Sequence, residues 1–184
     1  MKTKVKKEEI VYQDFLQIRK RDLEAPNGEI FDRESLMRGE ATAVLVYNDD
    51  TNKLIFTSQY RDAISGMSLE IPAGLMEEFD TDPKQCAVRE VLEETGYDVK
   101  ILDIIPLMKI LPAPGYTNEL IHIYMAIVNN DNKVNDGGGV ESENEYIEVV
   151  EMDVNEAFEQ IQNGTLMDAK SIVALQSFKM KNIH

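Results

Sequence analysis

The stretch DPKQCAVREVLEETG, residues 82–96, decides the fold of this chain. Asp82 stands where a helix N-cap belongs, Pro83 pre-sets the first helical residue, and Gly96 offers the left-handed turn that stops a helix. Between them Ala87, Val88, Val91 and Leu92 recur at helical spacing and form an apolar face. A helix over 83–95 therefore carries Glu90, Glu93 and Glu94 within one arc of its surface. Their place is unfavourable. Like charges one turn apart cost about 0.2–0.5 kcal/mol per pair. Acids at the carboxyl end oppose the macrodipole by about 0.3–1 kcal/mol each. The sum, on the order of 1–3 kcal/mol, is a noticeable share of a domain's marginal stability. A hard divalent cation reverses the sign of that arrangement.

The bland alternative is a solvated acidic face. Acids are 34 of the 184 residues, so three at specified positions arise about once by chance in such a chain. Requiring Arg89 just before them and Gly96 just after lowers that to roughly one chance in a hundred or less. The pattern favours function.

Composition narrows the chemistry. With 184 residues and 43% hydrophobic content the chain can bury one real core. Cys86 is the lone cysteine, which rules out an intrachain disulfide and fits a reducing compartment. His122 and His184 are the only histidines, too few for a Cys/His zinc site, so a metal would be held by oxygen. The formal net charge of −15 disfavours nucleic acid, and a phosphorylated small ligand needs bridging cations. The apolar runs are strand-sized, so no membrane span is expected. The N-terminus lacks the apolar stretch of a signal peptide, and a cytoplasmic location is the expectation.

Along the chain, residues 10–38 read as extended and amphipathic, with Asn27-Gly28 as a hairpin turn. Strands are expected over 41–47, 53–60, 99–110, 119–128 and 146–152. Residues 71–74, Ile-Pro-Ala-Gly, read as a breaker. Residues 129–144, with Gly137-Gly138-Gly139 at their centre, read as a mobile loop. Helices over 154–163 and 170–179 close the chain around Gly164. The pattern is α/β, layered helix–sheet–helix.

Gly74 followed by Arg89-Glu90-Val91-Leu92-Glu93-Glu94-Thr95-Gly96-Tyr97 resembles the box of the Nudix hydrolases. The second half of that box matches at every specified position. In the first half, Asp80 stands where the family has Glu, with one extra residue before Arg89, so Asp80 or Asp82 is expected to pair with Arg89. The resemblance implies a Nudix α/β/α sandwich with a mixed β-sheet and an N-terminal antiparallel β extension. Residues 1–40 would form that extension, part of a homodimer interface, and 41–184 the Nudix domain. It further implies that Glu90 and Glu94, joined by Glu93 and the Ala73 carbonyl, hold two or more Mg²⁺ or Mn²⁺ ions. Such ions neutralise a diphosphate and lower the pKa of a bound water.

Leu69-Glu70-Ile71-Pro72-Ala73-Gly74-Leu75, the 114–119 segment PGYTNE and Asp168-Ala169-Lys170-Ser171 are similar to the ADP-ribose and nucleotide-sugar pyrophosphatase branch. That likeness implies hydrolysis of ADP-ribose or a related nucleoside diphosphate sugar to a nucleoside monophosphate and a sugar phosphate. The glycine-rich loop also resembles GDP-mannose pyrophosphatases. A glycine loop followed by paired acids reads as a lid that delivers a carboxylate, and the resemblance to this branch implies that Glu143 or Glu145, Glu143 slightly preferred, is the general base. Arg89 is grouped with them as a catalytic candidate. Arg38 and Arg61 can fork onto phosphate oxygens, and the resemblance implies that they, with Glu70, are the substrate-binding candidates. His122 reads as a strand histidine and Cys86 as core. A silent nucleotide-sensing Nudix domain is the rival class. The intact acids weigh against it.

Overall fold

The computed structural model describes residues 2–140 and 145–181. The described chain divides into two compact units, one of residues 1–40 with 111–120, the other of 41–110 with 121–184.

The first unit is an antiparallel meander of β1 (Lys4–Gln13), β2 (Gln17–Glu24) and β3 (Ile30–Met37). The β2–β3 turn falls at Asn27-Gly28, as its sequence demands. Gly28 adopts φ +88° and the Asn27 side chain accepts the Glu29 N–H at 3.1 Å. The strand pattern begins earlier than hydrophobic alternation indicates, because β1 is exposed along its whole length and leaves no half-buried signature.

In the second unit β4 (Glu40–Asn48) and β5 (Lys53–Arg61) are central to a seven-stranded mixed sheet. Its order is β10 (Ile147–Asp153), β5, β4, β9 (Leu120–Val128), β8 (Ile105–Ile110), with β6 (Gly66–Glu70) on β5 and β7 (Ala73–Leu75) on β4. Period-two alternation in β4 divides the core. Ala41, Ala43, Leu45 and Tyr47 face the cluster that holds Leu175 and Phe178 of α3 (Ala169–Met180) and Ala157 of α2 (Val154–Gln162). Val44 and Val46 face the other way, onto Ala87 and Val91 of α1 (Pro83–Thr95) with Tyr97 and Ile104. The layering is α/β/α.

Helix α1 spans the expected residues, and its caps follow from them. The Asp82 side chain accepts the Lys84 N–H at 2.8 Å, and Gly96, at φ +75°, donates to Leu92 O at 2.9 Å. Two expectations are corrected. Ala73 and Gly74, read as breaker, form the short strand β7, whose pairing with Ala43 and Thr42 of β4 overrides local propensity. The strand expected over 99–110 begins only at Ile105, after a single 3₁₀ turn at Ile101–Asp103.

Candidate active site

Three segments place the acids of α1. The first is β7, which lies so close to the helix that the Glu90 carboxylate fills the space where a side chain on Gly74 would stand. A Cβ there would come within 2.1 Å of Glu90 Oε1 and 2.5 Å of Oε2. The Ala73 N–H donates to Glu94 Oε2 at 3.2 Å. Behind this contact the Cys86 thiol, fully buried, accepts the Thr42 hydroxyl at 3.2 Å and faces the Leu75 carbonyl at 3.5 Å. Burial, reinforced by the Glu90 charge, pushes that thiol up to about 12, so it remains neutral.

The second is the turn before α1. Asp80 binds Arg89 Nη2 at 3.1 Å and accepts the Glu77 N–H at 2.9 Å, while Asp82 is occupied as the N-cap. Of the two aspartates considered for Arg89, the structure pairs Asp80. The same guanidinium meets Glu90 at 2.7 Å, Glu93 at 3.1 Å and the Leu75 carbonyl at 3.3 Å. Arg89 is thus ringed by groups of the site itself, which is the geometry of an orienting residue.

Glu90 and Glu94 are buried, at 7% and 4% exposure, although both are acids. Burial raises Glu90 to about 7, with the charges of Glu93 and Glu145 adding to it against the pull of Arg89. Burial likewise raises Glu94 to about 8, together with Glu90 and Glu145. Two adjacent buried carboxylates whose burial outweighs the pull of Arg89 on one and of Lys170 on the other form an all-oxygen donor set that suits a hard divalent cation. The missing side chain at Gly74 leaves room for the Glu90 carboxylate. Among the described residues no three acidic, histidine or cysteine side chains converge to chelating distance. Glu90 and Glu93 are turned to Arg89 instead. The residues fit the cation in chemistry and neighbourhood.

The third is the segment after β9. Of the segment read as a mobile loop, residues 141–144 lie outside the described residues, and the part before them is hydrogen-bonded to α1. Lys133 Nζ donates to Thr95 O at 2.8 Å, and Gly138 and Gly139 donate to Glu94 O and Glu93 O at 3.0 Å each. Glu145 follows, its carboxylate accepting the Val140 N–H at 3.3 Å. Glu143, the other candidate base, lies outside the described residues.

Of the substrate-binding candidates, Arg61 forks onto Glu70 through Nε at 2.8 Å and Nη2 at 2.9 Å. Lys170 completes the carboxylate's partners and also binds Asp168 at 3.0 Å. Burial pushes Glu70 up, but the Arg61 hydrogen bonds and the Lys170 charge outweigh it and hold the carboxyl at about 2. Arg61 and Glu70 are therefore each other's partners. Arg38 belongs to the first unit, where its guanidinium lies 5.6 Å from the Phe15 ring and its N–H donates to Asn118 at 2.8 Å. His122 is a buried residue of β9. Sequence reasoning missed Lys133 and Lys170 as members of this neighbourhood. Lys170 sits inside the recognised 168–171 segment and could have been found there, whereas nothing around Lys133 marks it.

The NUDIX domain family matches residues 37–173. A GDP-mannose pyrophosphatase of Cronobacter sakazakii is 36% identical over 170 residues, covering 88% of this chain and 86% of that protein. A GDP-mannose pyrophosphatase of Shigella flexneri is 33% identical with the same coverage. The methanol dehydrogenase activator of Bacillus methanolicus is 30% identical over 177 residues, covering 96% and 92%. Among solved structures, that of an ADP compounds hydrolase superposes with TM-score 0.82 over 99% of this chain and 97% of the other at 22% identity, a likeness of fold. The chain belongs to the Nudix family. Within it, the chain is a pyrophosphatase, a class of hydrolase that generally uses divalent metals such as Mg²⁺.

Proposed function

We propose that this protein hydrolyses the diphosphate bond of nucleoside diphosphate sugars, with GDP-mannose as the first substrate to test and ADP-ribose the second. The observation that carries the reading is the buried Glu90–Glu94 pair on a helix that lies within the residues matched by the family. The relatives named GDP-mannose pyrophosphatase support the sugar, since they match most of this chain.

Glu90, Glu94 and Glu93 are the proposed cation ligands, joined by the Ala73 carbonyl, for two or more Mg²⁺ or Mn²⁺ ions. When bound, such ions neutralise the diphosphate and lower the pKa of water. Arg89 holds the helix acids and the 75–80 turn in register. Glu145, or Glu143, takes the proton from the attacking water. Arg61 and Lys170, cations in an otherwise acidic molecule, are proposed to offer charge to the substrate's phosphates beside Glu70, with Arg38 a further phosphate contact. Residues 1–40 are proposed as a β extension that pairs across a homodimer, which the exposure of Val5, Val11 and Phe15 supports.

The test is turnover with Mg²⁺ of GDP-mannose, ADP-ribose, UDP-glucose and 8-oxo-dGTP, separated by chromatography. GMP and mannose 1-phosphate are the expected products from GDP-mannose. Nucleotide binding with no turnover of any member would replace the enzyme by a sensor.

A further inference from the structure

The last four carbonyls of a helix have no partner within it. In α1 all four are met from outside: Leu92 O by the Gly96 N–H at 2.9 Å, Glu93 O by Gly139 at 3.0 Å, Glu94 O by Gly138 at 3.0 Å, and Thr95 O by Lys133 Nζ at 2.8 Å. Three of these four donors come from residues 133–139, a segment that local sequence marks as loose. The Lys133 ammonium also lies 4.8 Å from the Tyr97 ring centroid, which fixes it in place.

The glycines are required by space as well as by φ. At Gly137, φ is +70° and a Cβ would lie 2.5 Å from Glu94 O and 2.6 Å from Thr95 C, backbone atoms that cannot yield. At Gly139, φ is +81° and a Cβ would lie 2.9 Å from Glu145 Cβ. Gly138 faces both ways. Its N–H reaches Glu94 O, and its carbonyl accepts the Ile147 N–H at 3.2 Å, at the start of β10. The Glu145 N–H donates to Val140 O at 3.4 Å. One residue thus links the backbone of Glu94 to Ile147, where the strand two residues beyond Glu145 begins.

We propose that Lys133 and Gly137–Gly138–Gly139 are positioning residues of the hydrolytic site, a strut that fixes the backbone of Glu93 and Glu94 relative to Glu145. The inference rests on the hydrolase reading above. It gives the triglycine a role distinct from a lid, since the segment is tied to the metal helix.

Gly137→Ala tests it, with Gly164→Ala as control. Gly164 also has positive φ, +80°, but nothing lies within 4 Å of its Cβ position, so it bears the backbone strain without touching the site. Expected for Gly137→Ala is a fall in kcat of about tenfold or more with KM within about threefold. In the metal-free protein, amide hydrogen exchange at Gly138 and Gly139 should be slow, and it should accelerate in Gly137→Ala while α1 remains protected. Gly164→Ala should keep kcat. Should Gly137→Ala fail to fold, Lys133→Met decides, with a similar loss of kcat that Lys133→Arg restores in part. Unprotected Gly138 and Gly139 amides in the native protein, or full kcat in a variant whose protection is lost, would overturn the strut. Full activity of Glu94→Gln would instead sink the ligand assignment, and the two failures are distinguishable.

Discussion

Gly74 and Glu90 occupy one space: the position of a Cβ on the glycine lies 2.1 Å from the glutamate's Oε1. Strand β7 and helix α1 are thereby brought close enough for the Ala73 backbone to bind Glu94. The box glycine is spatial in origin, since Gly74 is not among the residues of positive φ.

Gly74→Ala follows directly. The methyl group evicts the Glu90 carboxylate, the flexible end of a side chain, so the fold survives while the acid pair is broken. Circular dichroism should be unchanged and GDP-mannose turnover should fall by about a hundredfold. Retained turnover would mean that Glu90 is not needed where the structure puts it.

The acid pair also sets a pH dependence. Between the ordinary carboxyl value of 4.5 and about 7 for Glu90 or about 8 for Glu94, the folded protein keeps protons that the unfolded chain has released. Stability of the metal-free protein therefore falls as pH rises through that window. Thermal unfolding in EDTA should show Tm declining from about pH 5 to about pH 8.5, and Mg²⁺ should flatten the decline by replacing the protons. An unchanged slope with Mg²⁺ would contradict it.

Glu70 behaves in the opposite sense. Held at about 2 against 4.5, it contributes stability that is complete above the ordinary value and is lost as pH falls through about 2. Glu70→Gln leaves Arg61 and Lys170 without their carboxylate, and urea unfolding at neutral pH should show a loss of about 2 kcal/mol.

Asp80 replaces the family's Glu and yet reaches Arg89. A double-mutant cycle of Asp80→Ala and Arg89→Ala, read by kcat/KM, should give a coupling of about 1–2 kcal/mol. Additive losses would mean that the shorter acid does not orient the arginine.

How far the sequence reveals this molecule depends on whether the determining contact is local. Helix α1 is legible to the residue because Asp82, Pro83 and Gly96 act on their own neighbours. The faces of β4 are legible because alternation is a local property. Strand β7 is not, since Ala73 and Gly74 become a strand only by pairing with residues about thirty positions earlier. The α1 acids are legible as a cluster, but their burial and the ring of acids around Arg89 depend on the 75–80 turn. Least legible is the 133–139 segment. Its glycines read as freedom, whereas positive φ and close approach to Glu94 hold them in place. Lys133, which meets Thr95 O, bears no mark at all.

The account turns on whether Glu90 and Glu94 exchange protons for a divalent cation. Calorimetric titration of Mn²⁺ into the metal-free protein near neutral pH, in two buffers of different ionisation enthalpy, counts the protons expelled on binding. Net proton release is the predicted result, abolished in the double variant Glu90→Gln/Glu94→Gln together with tight binding. Equal binding by that variant, with no proton release in either protein, would contradict the account.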